Sequence, residues 1–507
     1  MGRKNKGASS NKKAKADLSD LMSELFSPMP PNKRGELNKL VEKLLEKCSN
    51  FASEPLTPSK LMDEHKEIRV MVDKIRGLES TNMNRKLRGP RIRHVPQLLE
   101  WLKSNGAEIH GVTLKEVDDL ELGLFVSEGT SLKEGDVVIK IPRKCIMSSE
   151  TARDSSIGSL IEKDPMLKTM HNVALTLHLL IEKNSPASFW EPYINVLPSS
   201  YSTVLYYTVK DFDLLKGSPT YVDALKQYKF VARQYAYFYR KFQNTMLRDY
   251  FTYDEYRWAV STVTTRQNKV PCTKPDSYGL SIMANALIPF WDMANHSVKP
   301  PVLSTDFDID SDSLLCLANQ NFKAGQEFTI FYGVRGNMDF LIHNGFIPLN
   351  NEYNFYSLKI GFGKNDPLFA LKNSLLEKIP DSSSQGSYAL KKNSPMIEEL
   401  LLSFLRINSM NESELNEYLK KDDASWKSLT LETKTPFDDK AYNYLKTRCE
   451  LLIKSYPNSL EEDNKLLEMK EGEGALLLHQ KYCIQLRALE KDILFNIVHA
   501  CNSKASS

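Results

Sequence analysis

Apolar residues recur along the chain with two different periods, and the places where the period changes mark its organisation. Leu37, Leu40, Val41, Leu44 and Leu45 follow i, i+3, i+4 spacing, as do Ile68, Val72 and Ile75. That spacing predicts two amphipathic helices, with a break around Ser53–Ser59 that holds two prolines. From about Ala107 the pattern shortens to β-type runs. LGLFVSEG (122–129) and LKEGDVVIKIP (132–142) read as strands separated by glycine-containing turns, and Pro142 ends the second. From Ser149 to about Thr262 the helical period returns. Val173, Leu177 and Leu180 lie on one stripe, and Tyr235, Phe238 and Tyr239 form an aromatic stripe expected to be core. Strand character reappears between Ala286 and Phe346, in VLSTDFDID, LLCLAN and EFTIFYG. The chain from about Leu368 reads as helical, with Ser394-Pro395 as an N-cap followed by Pro at N1. Asn411 and Glu414 form a second helix start of capping-box type. No internal repeat is visible. Two β-rich segments are thus separated by about 110 helical residues, and a helical block follows the second.

Length and composition narrow the class. At 507 residues, roughly 150 residues per domain suggests about three domains. With 41% hydrophobic and 26% charged residues, the chain can build real cores. Mean hydropathy is −0.40 and no run of 18 uninterrupted apolar residues occurs, so no membrane span is expected. Arg3, Lys4 and Lys6 have no apolar run behind them, which argues against a secretory leader. Residues 1–15 carry six of the 67 basic residues and no acid, leaving 61 basic against 64 acidic residues in the rest. A near-neutral body with a basic arm over residues 1–20, read as disordered, does not have the electrostatics of a nucleic-acid binder. The seven cysteines (48, 145, 272, 316, 449, 483 and 501) are scattered and never spaced C-x-x-C. They read as buried thiols of a reducing compartment, the cytoplasm first and the nucleus second.

Three short strings could carry chemistry. Gly123 sits between Leu122 and Leu124, and alone it marks only a turn or a close approach. IPFWDMANHS (288–297) puts Asp292, Asn295 and His296 within five positions at the end of an apolar run. His296 alone reads as a structural histidine, and with no second His or Cys at metal spacing no metal site is expected. FTIFYGVRGN (328–337) places Tyr332 before a glycine where a strand should end. DFDIDSD (306–312) alternates like the start of a calcium loop but lacks its Gly and terminal Glu, so it reads as a solvated loop.

Together, and in this order, the strings resemble the SET-domain protein methyltransferases. The likeness is to the branch with a helical insert inside the SET fold and a helical, Rubisco-methyltransferase-type substrate-binding domain behind it. SFWEPYINVLPSSY (188–201), ARQYAYFYR (232–240) and FTYDEYRWAVSTVTTRQNKVP (251–271) are similar to family members whose substrate is a histidine of actin. The resemblance implies an α+β protein: a split SET β-fold with a pseudoknot, a helical insertion, and an all-α C-terminal domain. Its boundaries would be N-terminal helices over 21–95, a SET domain over 96–350 with its insert at about 149–261, and the C-terminal domain over 351–507.

The family's methyl donor is S-adenosylmethionine. Carried over, its site would comprise Arg91, Leu120, Leu122, Arg266, Asp292, Asn295, His296, Tyr332, Asn344 and Phe346, with Arg91 suited to the cofactor carboxylate. The substrate side would use Arg233, Gln234, Gln267, Asn268, Trp291, Phe307 and Arg335, and Tyr332 and Asn268 would be the catalytic pair. Asn268 offers a carbonyl to the N–H of a target imidazole, and Trp291 a flat wall. The sequence departs from the family at three places. Asp118-Asp119-Leu120-Glu121 lacks the acid-glycine-aromatic pattern, Asn344 replaces a smaller Ser, and Phe307 replaces a Tyr. The implied activity is tele-methylation of a histidine of actin by a monomeric cytoplasmic enzyme, with no nucleic-acid or membrane partner. The alternatives are a lysine methyltransferase of the same branch and a non-catalytic SET binding module.

Overall fold

A computed structural model of the chain describes residues 29–50, 56–80, 89–117, 121–243, 245–274, 282–298, 304–383, 385–393, 397–431, 433–469 and 476–505. The basic arm, Leu120 and the Ser394-Pro395 start lie outside the described residues. The chain divides into two units, Met1–Tyr206 with Lys226–Gly333, and Tyr207–Leu225 with Val334–Ser507. The expected insert of 149–261 is therefore divided, since residues 207–225 group with the C-terminal part.

In the first unit, helices α1 (Pro31–Ser49) and α2 (Pro58–Ser80) form as their spacing predicts, and α1 begins with proline in its first turn. Leu37, Val41, Leu44 and Cys48 of α1 are buried, as are Ile68, Val72 and Ile75 of α2, while Leu40 and Leu45 are half-buried. Helix α3 (Val95–Ser104) follows, then a group of short strands. Strands β1 (Glu108–Ile109), β4 (Val137–Pro142), β9 (Thr305–Asp308) and β10 (Ser313–Leu317) make one sheet in the order β1-β4-β10-β9. Strands β2 (Val112–Val117), β3 (Glu121–Val126), β8 (Asn295–His296) and β11 (Glu327–Ile330) make a second, β2-β3-β11-β8. A third contains β5 (Met147–Ser148), β6 (Asn268–Pro271) and β7 (Met283–Leu287) in the order β5-β7-β6. Each sheet draws on residues both before and after the helical segment, which is the split β-core expected from the pattern.

A capping box on Ser148 and Thr151 starts the helical segment where the period changes. Its main helices are α4 (His171–Asn184), α5 (Pro219–Phe242) and α6 (Tyr253–Arg266), so helix continues to residue 266. Every residue from Val173 to Leu180 is buried, because neighbours cover α4 on all sides and its stripe is only part of an all-round core. The aromatic stripe of α5 is core, with Tyr235 stacked on Phe251 at 5.7 Å. Tyr235 donates to Glu79, and Lys229 pairs with Glu64 at 2.8 Å, tying α5 to α2.

The second unit is not all-α. β12 (Phe355–Gly361) pairs antiparallel with β13 (Gln385–Lys391) over seven residue pairs. Both runs alternate buried and more exposed positions, a period of two; β12 precedes the stretch read as helical and β13 lies inside it. Helices α7 (Glu399–Ser409), α8 (Asp438–Lys454) and α9 (Leu478–Ala505) contribute to its core together with the two strands. The capping box at Asn411 and Glu414 is present.

Candidate active site

The two strings singled out at 288–297 and 328–337 lie side by side. β8 runs parallel to β11, with Asn295 opposite Thr329 and His296 opposite Ile330, and the Ser297 N–H donates to the Ile330 carbonyl at 2.8 Å. This pairing brings Tyr332 to His296. The Tyr332 backbone N–H donates to His296 Nδ1 at 3.3 Å, and the two rings are 5.2 Å apart. That contact makes Nδ1 the acceptor and leaves Nε2 to carry the proton of the neutral ring. The Tyr332 hydroxyl donates to the Ala294 carbonyl at 2.8 Å. Asn295 turns its amide onto Glu327 of β11, with Nδ2 2.6 Å from Oε1.

Gly123 is not a turn. It lies inside β3, opposite Lys115 of β2, and its role is close approach. A Cβ there would stand 3.1 Å from Glu327 Oε1 and 3.3 Å from Asn295 Nδ2. The glycine therefore lets the Asn295–Glu327 pair lie against the strand. Its neighbour Leu122 is buried.

Below the crossing is a buried charge pair. Phe290 has a φ of +71°, unusual for a bulky residue, and starts the single turn Trp291–Met293. That turn buries Asp292, whose Oδ2 accepts from the Tyr193 hydroxyl at 2.6 Å. Arg266, at the end of α6, donates from Nη1 to the Asp292 carbonyl at 2.8 Å and lies 3.5 Å from Oδ2. Burial pushes the Asp292 carboxyl above its usual range, and Arg266, Tyr193 and Arg91 oppose that rise. Burial works against the charge of Arg266, but Asp292 together with Tyr201, Tyr193 and Tyr332 more than offsets it, so the guanidinium titrates above its usual range. Two buried atoms of this pair, Asp292 Oδ1 and Arg266 Nε, have no protein partner. Arg91 donates from Nε to the Val196 carbonyl at 2.7 Å and approaches Met293 Sδ with Nη2 at 3.6 Å.

Four of the residues expected on the substrate side, Gln267, Asn268, Trp291 and Phe307, have well-defined partners. Gln267 is the C-cap of α6 and accepts from Asn285 of β7 at 2.6 Å. Asn268 opens β6 rather than ending the helix, because its backbone pairs with Ala286, and its Oδ1 accepts the Lys269 N–H at 2.8 Å. Trp291 is 8% exposed and its indole N–H donates to Thr305 Oγ1 at 3.0 Å, so its edge is fixed. Phe307 of β9 lies under the guanidinium of Arg143, 4.5 Å from the ring centroid. Arg143 is itself held by Asp312 and the Pro271 carbonyl, each at 2.6 Å. In the loop between β9 and β10, the Asp308 carboxylate accepts the backbone N–H groups of Asp310 and Ser311.

Other expected residues have partners of their own. Gln234 is 3% exposed and its Oε1 accepts from Tyr256 at 3.2 Å, so it is committed to packing between α5 and α6. Arg233 lies close enough to Cys48 of α1 for its charge to act on that thiol. Arg335, Asn344 and Phe346 belong to the second unit. There Arg335 Nη1 donates to Asn344 Oδ1 at 3.0 Å, and Phe346 packs on Phe340 at 5.2 Å. Sequence reasoning missed Tyr193, Thr305, Glu327 and Arg143. Tyr193 lay inside a segment already singled out, but nothing local distinguished it from the other aromatics there.

Residues 122–333 match the SET domain family model, and residues 363–494 match the Rubisco LSMT substrate-binding model. Two solved structures, the SET domain of LSMT bound to lysine and AdoHcy and Rubisco LSMT bound to AdoMet, superpose with TM-scores of 0.66 and 0.65. Each covers 82% of this chain and 92% of its own at 19% identity, a likeness of fold. Fold and site together define a SET-domain methyltransferase. The actin-histidine N-methyltransferase of Xenopus tropicalis is 39% identical over 472 residues, 90% of this chain and 78% of that protein. Those of Homo sapiens and Mus musculus are 38% and 37% identical over 90% of this chain and 76% of theirs. The chain belongs to the actin-histidine N-methyltransferase family.

Proposed function

We propose that this chain transfers a methyl group from S-adenosylmethionine to a side-chain nitrogen of a histidine in actin, giving tele-methylhistidine and S-adenosylhomocysteine. The observation that carries the reading is the parallel crossing that puts Asn295-His296 against Tyr332 in a chain of this family. The cofactor fits the donor set: an amino-acid group has both a cation for the unused Asp292 Oδ1 and an anion for the unused Arg266 Nε.

When bound, S-adenosylmethionine supplies an activated sulfonium methyl, so the chain has to align a neutral nucleophile and exclude water. An imidazole, with a reference pKa of about 6.5, is mostly neutral near pH 7, whereas a lysine at about 10.4 must first lose a proton. The imidazole needs a fixed tautomer. Asn268 Oδ1 uses one lone pair on the Lys269 N–H and retains a second for the ring N–H of the substrate. With its N–H tied to Thr305, Trp291 offers a ring face as a wall. Tyr332 has committed its hydroxyl proton to Ala294, which suits an orienting role and requires no general base. Six of the seven free cysteines are buried, which accords with a reducing, cytoplasmic setting.

The test is incubation of the full chain with labelled cofactor and purified actin, followed by mass spectrometry of the modified residue. Methyl on one actin histidine is expected. Methyl on lysine, or none on actin, overturns the reading.

A further inference from the structure

Several buried carboxyls in this chain take a hydrogen bond from a tyrosine, and all but one of the pairs considered are closed. Glu79 accepts from Tyr235 on one oxygen and from the Tyr253 N–H on the other. Glu490 accepts from Tyr456 on one oxygen and from Ser218 and Thr220 on the other. Asp164 accepts from Tyr237 on Oδ2 and from two backbone N–H groups on Oδ1. In those pairs the phenol is one part of a satisfied structural cluster. The Tyr193–Asp292 pair differs: both residues are buried, the bond is 2.6 Å, and the other oxygen of Asp292 has no partner. The same holds on the far side of the pair, where Arg266 Nε is buried and unused. Buried polar atoms are rarely left open, so two such atoms in one ion pair point to a ligand that completes them.

Resting on the cofactor reading above, we propose that Tyr193 is a positioning residue. Its hydroxyl holds the Asp292 carboxylate against Arg266 and thereby sets how tightly the amino-acid end of the cofactor binds. Tyr193 itself does not reach the cofactor; it acts through Asp292. The groups that act on Asp292 are Arg266 from α6 and Arg91 from the turn Arg91–His94 through their charge, and Tyr193 from the helix Glu191–Val196 through its hydrogen bond. Arg266 in turn is acted on by Tyr201, Tyr193 and Tyr332. Burial raises the Asp292 carboxyl, and the Tyr193 hydroxyl and Arg266 both lower it. Cofactor affinity that needs the ionised carboxylate is present above that raised pKa and is lost as pH falls through it. Removing the hydroxyl removes one lowering contribution, so the loss must begin at a higher pH.

The measurement is S-adenosylhomocysteine affinity by calorimetry on the full chain from pH 5.5 to 8.5, in wild type, Tyr193→Phe, Asp292→Asn and the double variant. The displacement between profiles is read, and not their shape, so that titrations common to all four proteins cancel. Tyr193→Phe should displace the acid limb upward by about one pH unit, which makes binding roughly tenfold weaker on that limb and nearly unchanged on the plateau above it. Tyr193→Phe should produce no displacement in the Asp292→Asn background. A uniform weakening across the pH range, or none, assigns Tyr193 to packing and overturns the role. Should Tyr193→Phe fail to fold, Asp292→Asn alone decides: an acid limb identical to wild type overturns it. No binding by the wild-type chain would overturn the cofactor reading itself, an outcome distinct from either of these.

Discussion

Arg406 in the second unit and Arg266 in the first are both enclosed guanidiniums paired with an aspartate, and they are finished differently. Arg406 is fully buried. Its Nε and Nη2 reach Asp438, Nη1 reaches the carbonyls of Leu429 and Leu431, and Nη2 also reaches that of Thr433. Elsewhere in the same unit, Asp463 is shared by Arg487 and Lys491, and Lys491 also donates to two backbone carbonyls. Arg266 has one nitrogen unused, and so has Asp292 one oxygen. A buried charge that is saturated by its own chain contributes to the fold and has nothing left to offer. One that is left incomplete marks a place where something else is meant to bind.

That contrast breaks most visibly at Arg406. Arg406→Met leaves Asp438 buried without its partner and should cost about 3–5 kcal/mol of stability. Denaturant melting should register the loss, while S-adenosylhomocysteine affinity of the protein still folded stays at the wild-type value. A matching loss of affinity would mean that the saturated charges also serve the site.

Asn268→Ala removes a carbonyl on the open side. Leaving the imidazole N–H unpaired should lower kcat/KM on a histidine peptide by roughly five- to 150-fold, about 1–3 kcal/mol, with cofactor affinity unaltered. Discrimination against a lysine peptide should weaken as well, since an alkyl amine no longer meets an unmatched amide. Equal losses on both peptides would reduce Asn268 to its bond with Lys269.

Glu79 sharpens the closed class. Burial holds its carboxyl at about 8, so between about pH 4.5 and 8 the folded chain keeps a proton that the unfolded chain has released. Stability must therefore fall as pH rises through that window and level off above it. Between pH 6.5 and 8 the fall should be about 1–2 kcal/mol, visible as a drop in Tm, and Glu79→Gln should flatten it without changing methylation. A wild-type Tm independent of pH would show that the carboxyl is not held protonated.

The smallest expected effect is at Gly123. Alanine would press on Glu327 and, less closely, on Asn295. Displacing that pair should weaken S-adenosylhomocysteine binding three- to tenfold, about 1 kcal/mol, with little change in Tm. Unchanged affinity would remove the Asn295–Glu327 pair from the cofactor side.

Much of the molecule was readable from local periodicity, because a helix or strand with one buried face writes its period into the sequence. That holds for α1 and α2, for the strand runs around 122–142, and for the capping box at Asn411. It failed for α4, whose stripe did not reveal that every side is covered, for β12, which lies between the stretches assigned a period, and for β13, whose alternation lay inside a stretch read as helical. At the site, Asn295, His296 and Tyr332 were legible as short strings, and Gly123 as a glycine of unspecified use.

What the sequence determined by itself was therefore the set of elements and the strings at their ends, since both depend on neighbours within a few residues. The partners of those strings were decided only by the tertiary structure. Tyr193 meets Asp292 across 99 positions, and Asn295 meets Glu327 across 32. Asn268 became a strand residue because β7 came to lie beside it, and Gly123 became a point of close approach because β11 did. Whether a buried charge is saturated or left open depends on the sum of all donors and acceptors that folding brings within about 3 Å, and no local pattern records that sum.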